Sequence, residues 1–311
     1  MPENFWTTAQ NVLTLFLLIL AGAGCRRLRL LDEATVKGCA NLVLYLATPC
    51  VILQACIREF DSALLWGFLI AAAAALVNHL LLIVAVRRIF RDADDGRRRV
   101  LRFAAVFSNA GYMAIPLQQA LLGDEGVFYS AAYLVVFNIV MWTYGVAEMS
   151  GDPKTLSAKR LLTNPGILAV LLGLLLFVLP VPVPGVLRSA LGHLAALNTP
   201  IPMLIVGYYL AGANISSALR DRRLWLCLLL RLAAAPAVAL GLLLLCGVRG
   251  TLLTSLMICI STPVATATTM FAARYDREPL LSVDLVSLST LLSVVTLPAF
   301  VALTGYLGSI V

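Results

Sequence analysis

Ten stretches of the chain are apolar for long enough to cross a bilayer: roughly Thr8–Gly24, Ala34–Ile57, Ala63–Val86, Val100–Leu122, Gly126–Glu148, Pro165–Leu179, Leu187–Ala213, Leu224–Cys246, Leu252–Ala273 and Pro279–Leu307. Short polar connections separate them. In hydrocarbon only an intrasegment helix or a closed barrel satisfies the backbone, so apolar runs of this length predict an all-α integral membrane protein. Two of the ten are interrupted. Ser108-Asn109-Ala110-Gly111-Tyr112-Met113-Ala114-Ile115-Pro116 in the fourth and Ser261-Thr262-Pro263-Val264-Ala265-Thr266-Ala267-Thr268-Thr269 in the ninth carry the Gly, Pro, Asn, Ser and Thr residues that weaken a continuous helix. An unpaired backbone group in hydrocarbon costs several kcal/mol, so such breaks belong where they are buried in protein or line a polar cavity.

The two halves repeat. Ala47-Thr48-Pro49 answers Asn198-Thr199-Pro200, and Asn109-Ala110-Gly111 answers Ser261-Thr262-Pro263, followed in each half by an acidic exit, Gly123-Asp124-Glu125 and Tyr275-Asp276-Arg277. Five spans per half is an odd number, so the second half must enter the membrane upside down. The expectation is two inverted five-helix repeats, residues 1–150 and 151–311, joined by the turn-rich Ser150-Gly151-Asp152-Pro153-Lys154. Paired breaks in inverted halves point to the binding site of a secondary transporter.

Composition agrees: 61% of residues are hydrophobic and 13% charged, about half the charged share of a soluble domain. The net charge of +7 changes the picture only through its placement. Alternate loops hold nineteen basic residues, among them Arg26, Arg87, Arg97, Lys159, Arg222 and Arg274, while the intervening loops hold Arg58, Arg188 and Arg249. This asymmetry orients the chain with both termini outside the cytoplasm and needs no nucleic-acid partner. The polar run Arg87 to Arg102 reads as a solvated loop near anionic headgroups. The seven cysteines are scattered without a CxxC pair and read as small core residues. Met1-Pro2-Glu3-Asn4 has no basic n-region, so the first span is expected to be retained. With two histidines, no metal-ligand spacing, no nucleophile triad and no phosphate-binding glycine loop, neither an enzyme nor a cofactor is expected.

The interrupted stretches, together with Leu121-Leu-Gly123, Ala272-Ala-Arg-Tyr275-Asp276 and Leu288-Ser-Thr290-Leu-Leu-Ser293-Val-Val-Thr-Leu-Pro298, closely resemble the auxin efflux carrier family over essentially the whole chain. That family includes the plant PIN carriers and bacterial permeases of malate or malonate. The resemblance implies a fold like that of the bile acid:sodium symporters, with the fourth and ninth spans broken and crossing. It implies a scaffold from spans one, two, six and seven, a moving transport domain from the others, and a homodimer through the second and seventh spans. The absence of the long plant loop suggests a bacterial-type member in the inner membrane.

Half-helix N-termini, each worth roughly half an elementary charge, suit a carboxylate at such a crossing. The candidate substrate ligands are Asn109, Gly111, Tyr112, Pro116, Asn138, Thr262, Pro263 and Val264. Asn109 and Asn138 match positions where the resembling carriers hold substrate; otherwise they are interhelical glue. Gln118 and Gln119 either line an exit path or pack on the scaffold, and Thr262, Thr266 and Thr268 either bind an ion or satisfy freed carbonyls. Arg231 and Asp284 lie at similar depths, so they can pair, as a static bridge or as a site taking a proton or sodium ion. Asn78 and His79 approximate the support site that replaces sodium in the plant carriers, and imidazole allows proton coupling. The functional expectation is elevator-type transport of a small mono- or dicarboxylate, coupled to H+ or Na+. Uncoupled efflux of an aromatic acid is one alternative. A non-transporting sensor is another, though that reading calls for an appended signalling domain.

Overall fold

The computed structural model describes residues 2–92, 94–152, 163–179, 182–212 and 220–310, which are helical apart from turns and one isolated β-bridge. Pro153 and Lys154 of the expected hinge, and the basic Lys159 and Arg160, lie outside the described residues. The helices are α1 (Pro2–Arg27), α2 (Glu33–Cys56), α3 (Ser62–Ile89), α4 (Asp95–Val106), α5 (Ala110–Ser150), α6 (Pro165–Val178), α7 (Gly185–Ala196), α8 (Pro200–Leu210), α9 (Arg222–Leu245), α10 (Gly250–Ser261), α11 (Ala267–Arg274) and α12 (Pro279–Ile310). Six stretches among the described residues are long and apolar enough to span a membrane: α2, α3, α5, α7 with α8, α9 and α12. The chain is a multi-pass, all-α membrane protein.

Local chemistry sets the helix ends. Asp32, Asp61, Asp94 and Asp221 cap α2, α3, α4 and α9 by accepting from Thr35, Ala63, Arg97 and Arg223 N–H groups, and Asn164 caps α6 ahead of Pro165. Three of the four wide π-turns among the described residues, Val43–Ala47, Ala110–Ala114 and Leu230–Ala234, end two residues before a proline, Pro49, Pro116 and Pro236; the fourth, Met141–Gly145, does not. Proline lacks the N–H for an i−4 carbonyl and its ring crowds that carbonyl, and a wider turn relieves both.

Two expected boundaries shift. The acidic exit Gly123–Glu125 is a kink inside α5, where Gly123 adopts φ 63°, ψ −153°, a conformation costly to any residue with a Cβ. The seventh apolar stretch divides into α7 and α8 around a turn at Leu197–Thr199.

Packing places α1 along α8 and α2 along α6 and α7, while α3 and α10 both lie on α5, and α12 backs α10 and α11. The α1–α8 crossing is close enough to require glycine. A Cβ on Gly207 would stand 1.9 Å from the Ile19 carbonyl oxygen, and one on Gly22 would stand 2.3 Å from that of Leu204. At the basic end, Arg97 pairs with Asp221, Arg98 and Arg99 with Asp95, Arg102 with Glu148 (3.3 Å) and Arg277 with Asp95 (3.5 Å). These bridges tie the ends of α4, α5, α9 and α12 together.

Candidate functional site

Helix α4 stops at Val106 and α10 at Ser261, and the extended residues that follow lie antiparallel to one another. Asn109 N donates to Pro263 O (2.8 Å) and Ala265 N donates to Phe107 O (3.0 Å), forming a bridge between Ser108 and Val264. The backbone groups freed by one break are thus satisfied by the other, as the low-dielectric surroundings demand. Ser289 on α12 accepts from Val264 N (3.1 Å), and the Thr262 hydroxyl donates to Cys259 O (2.9 Å). Thr262, Pro263 and Val264 therefore build the bridge and do not line the cavity beside it.

The last carbonyls of α4 and α10 face Arg231. This fully buried side chain donates to Ala105 O and Val106 O (3.4 Å each) and to Ile260 O. The two helix C-termini each carry roughly half a negative charge, which the guanidinium offsets. Pairing of Arg231 with Asp284, which similar depth allowed, is not what Arg231 makes: among the described residues it has no carboxylate within ion-pair distance. Depth along a helix leaves azimuth free, and Arg231 is turned onto the broken ends.

On the other side of the bridge, a cavity of about 180 Å³ lies against the starts of α5 and α11, where backbone N–H groups are in excess. Asn109, Gly111, Tyr112 and Asn138 line it, as do Thr266, Trp142 and Arg274. Asn109 is 3% exposed, and its Nδ2 and the Nε1 of Trp142 are buried donors without a partner among the described residues. Asn138 is already engaged: Nδ2 donates to Leu134 O (2.8 Å), and Oδ1 accepts from Asn164 Nδ2 (3.3 Å), the residue that caps α6. Among the described residues no Asp or Glu lines the cavity, and Leu44, Ile52, Leu134, Phe137, Met141 and Phe271 form most of its apolar wall.

The remaining candidates are dispersed. His79 is fully buried; its Nδ1 donates to Ala75 O (2.7 Å), and the ring packs among Phe107, Tyr133 and Phe137. Its neighbour Asn78 faces a membrane-side groove. Gln118 is fully buried, accepts from the Ser255 hydroxyl (2.7 Å) and donates to Ser255 O (3.3 Å), locking α5 to α10. Pro116 and Gln119 line a separate cavity of about 220 Å³ with Gln54 and Asn198. Thr48, on the wall of the first cavity, donates to Asn198 Oδ1 (2.7 Å) on the wall of the second. Among the described residues no group of three His, Cys, Asp or Glu side chains is placed to hold a metal ion.

Sequence reasoning missed Trp142, Arg274 and Asn164 as site residues. Asn164-Pro165 ahead of an apolar run carried a visible cap signature, whereas Arg274 read as a loop anchor. It reaches the cavity because α11 is only eight residues long.

A membrane-embedded crossing of two interrupted helices, with a donor-rich cavity beside it, defines a membrane transport protein. The chain belongs to the membrane transport protein family, the auxin efflux carrier group, whose family model matches residues 7–301. It is 27% identical over 303 residues to an uncharacterised transporter of Methanothermobacter thermautotrophicus, covering 94% of this chain and 97% of that one. It is 23% identical over 309 residues to an uncharacterised transporter of Methanocaldococcus jannaschii, at 95% and 97% coverage.

Proposed function

We propose that the protein is a secondary transporter of a small organic anion. The observation that carries this reading is a pair of buried donors, Asn109 Nδ2 and Trp142 Nε1, that find no partner among the described residues, in a cavity that Arg274 also lines and that no described acidic side chain enters. A carboxylate accepts from such donors and needs no other change in the site. With one charged side chain and largely apolar walls, the cavity favours a monocarboxylate with an aromatic or apolar body over a compact dicarboxylate such as malate or malonate. Its volume suits a ring of one or two cycles.

The transport reading has ten spans in two inverted repeats, residues 1–150 and 151–311. The packing of α1 on α8 and of α2 on α6 and α7 supports a scaffold unit; elevator-type displacement of the crossing past it and a homodimer through the second and seventh spans belong to the same reading. Arg231 occupies the place a coupling cation would take at the carbonyl ends of the breaks, which favours transport without sodium. A proton carried by His79 or Asp284 is the coupled alternative. The loop charges favour an orientation with both termini outside the cytoplasm.

Purified protein in liposomes is expected to take up labelled phenylacetate or an indole acid in preference to malonate. Asn109→Ala removes one charge-assisted hydrogen bond and is expected to lower uptake about tenfold with melting temperature unchanged. Uptake by Asn109→Ala at the wild-type rate would overturn the site assignment.

A further inference from the structure

Between α3 and α9 the membrane-facing surface opens into a groove of about 380 Å³ that the proposed transport route does not use. Alanines make it: Ala73 and Ala74 on α3 and Ala234 on α9 leave room that Val77, Leu81 and Val238 border. Its floor reaches Ile260, the residue whose carbonyl Arg231 holds.

The groove's stripe on α3 passes through Ala74, Leu81 and Ala85, and its next turn brings Arg88 onto the same face. On α9 the stripe runs back from Ala234 through Leu230 to Arg223, whose Nη1 lies 3.5 Å from Ile89 O at the end of α3. That contact pins the two helix ends side by side. Arg88, Arg222 and Arg223 are all exposed there, against Asp92, 3.5 Å from Arg223 Nε, and Asp221, which accepts from Arg223 N and pairs with Arg97. The mouth therefore carries a net positive charge above an apolar trough. Along α3, Asn78 at the groove's inner part lies ten residues from Arg88, about 15 Å, the hydrocarbon depth of one leaflet.

We propose that this groove is a binding site for an anionic phospholipid, its phosphate held by Arg88 and Arg223 and one acyl chain lying between α3 and α9. Basic pockets between membrane helices select anionic headgroups, and each arginine near the surface strengthens that attraction about fivefold. A chain in the groove packs on Ile260 and so braces the crossing from the side opposite the cavity. The proposal is independent of what the protein transports.

The test is lipid binding to the detergent-purified full chain by native mass spectrometry, comparing dioleoyl phosphatidylglycerol with dioleoyl phosphatidylcholine. The wild type is expected to bind the glycerol lipid about thirtyfold more tightly, on the strength of two arginines. Arg88→Ala with Arg223→Ala is expected to bring the two lipids to near parity. Ala234→Phe fills the exposed groove and is expected to lower retention of both lipids while keeping their ratio. Equal binding of the two lipids by the wild type, an unchanged ratio in the double variant, or wild-type retention by Ala234→Phe would each overturn the proposal. If the double variant does not fold, the wild-type comparison and Ala234→Phe still decide.

Discussion

Replacing Arg231 by Met keeps an unbranched, flexible stem of somewhat smaller volume and removes the charge and five donors. Three buried carbonyls at the ends of α4 and α10 then lose this donor, at roughly 1–3 kcal/mol each, the lower figure applying to the two contacts at 3.4 Å. Relief from burying a guanidinium offsets part of this, so the net loss expected is about 3 kcal/mol. At roughly 2–4 °C per kcal/mol, melting in detergent falls by about 6–12 °C. Arg231→Lys retains a charge but reaches fewer carbonyls and falls in between. Arg231→Ala additionally vacates a carbonyl-lined space of the kind that holds a hard cation. For a sodium affinity of roughly 10 mM, 100 mM sodium would restore about 1.4 kcal/mol, a rise of about 3–6 °C over choline, whereas the wild type responds equally to both salts. Differential scanning fluorimetry in matched sodium and choline buffers reads all four proteins. An Arg231→Met protein that melts with the wild type would show that the two helix ends do not depend on this cation, and an Arg231→Ala protein indifferent to sodium would refute the substitution of arginine for an ion.

Gly207→Ala forces a methyl group into the Ile19 carbonyl and is expected to lower the melting temperature by the equivalent of at least 1–3 kcal/mol. Gly305→Ala on α12, where a Cβ would meet nothing within 4 Å, is expected to be neutral or stabilising in the same assay. Asp95 carries a pH signature, because the hydrogen bond from Arg99 holds its carboxyl below the usual carboxylate range. A carboxyl whose pKa is lower folded than unfolded stabilises above its unfolded value and loses that contribution as pH falls through the folded one. Melting temperature is therefore expected to be level from pH 8 to 5 and to drop below about pH 4, with a shallower drop in Asp95→Asn.

Hydrophobic run length and helix breakers made the membrane class and the two interruptions legible, because both depend on residues close in sequence. The chain leaves the helix at Phe107–Asn109 and at Thr262–Thr266, within the stretches rich in Gly, Pro, Ser and Thr. Which donor meets which acceptor was not legible, because that depends on helix azimuth. Gln118 turns onto Ser255, Arg231 onto Ile260 rather than into an ion pair, and Thr48 onto Asn198, none of which spacing along one helix can specify. Trp142 passed unnoticed as an ordinary apolar residue of the fifth stretch; only its unpartnered Nε1 beside the cavity gives it a role.

The bridge between Ser108 and Val264 also has a consequence for biogenesis. Its two strands come from segments about 155 residues apart, so at 5–20 residues per second the ribosome needs roughly 8–30 s after finishing the first to deliver the second. During that interval α4 has already ended, with Ala105, Val106 and Phe107 lacking the partners they will have in the finished protein. The nascent first half must wait in the insertion machinery or against lipid headgroups with an unfinished backbone, and the cavity comes into existence only when the second half arrives.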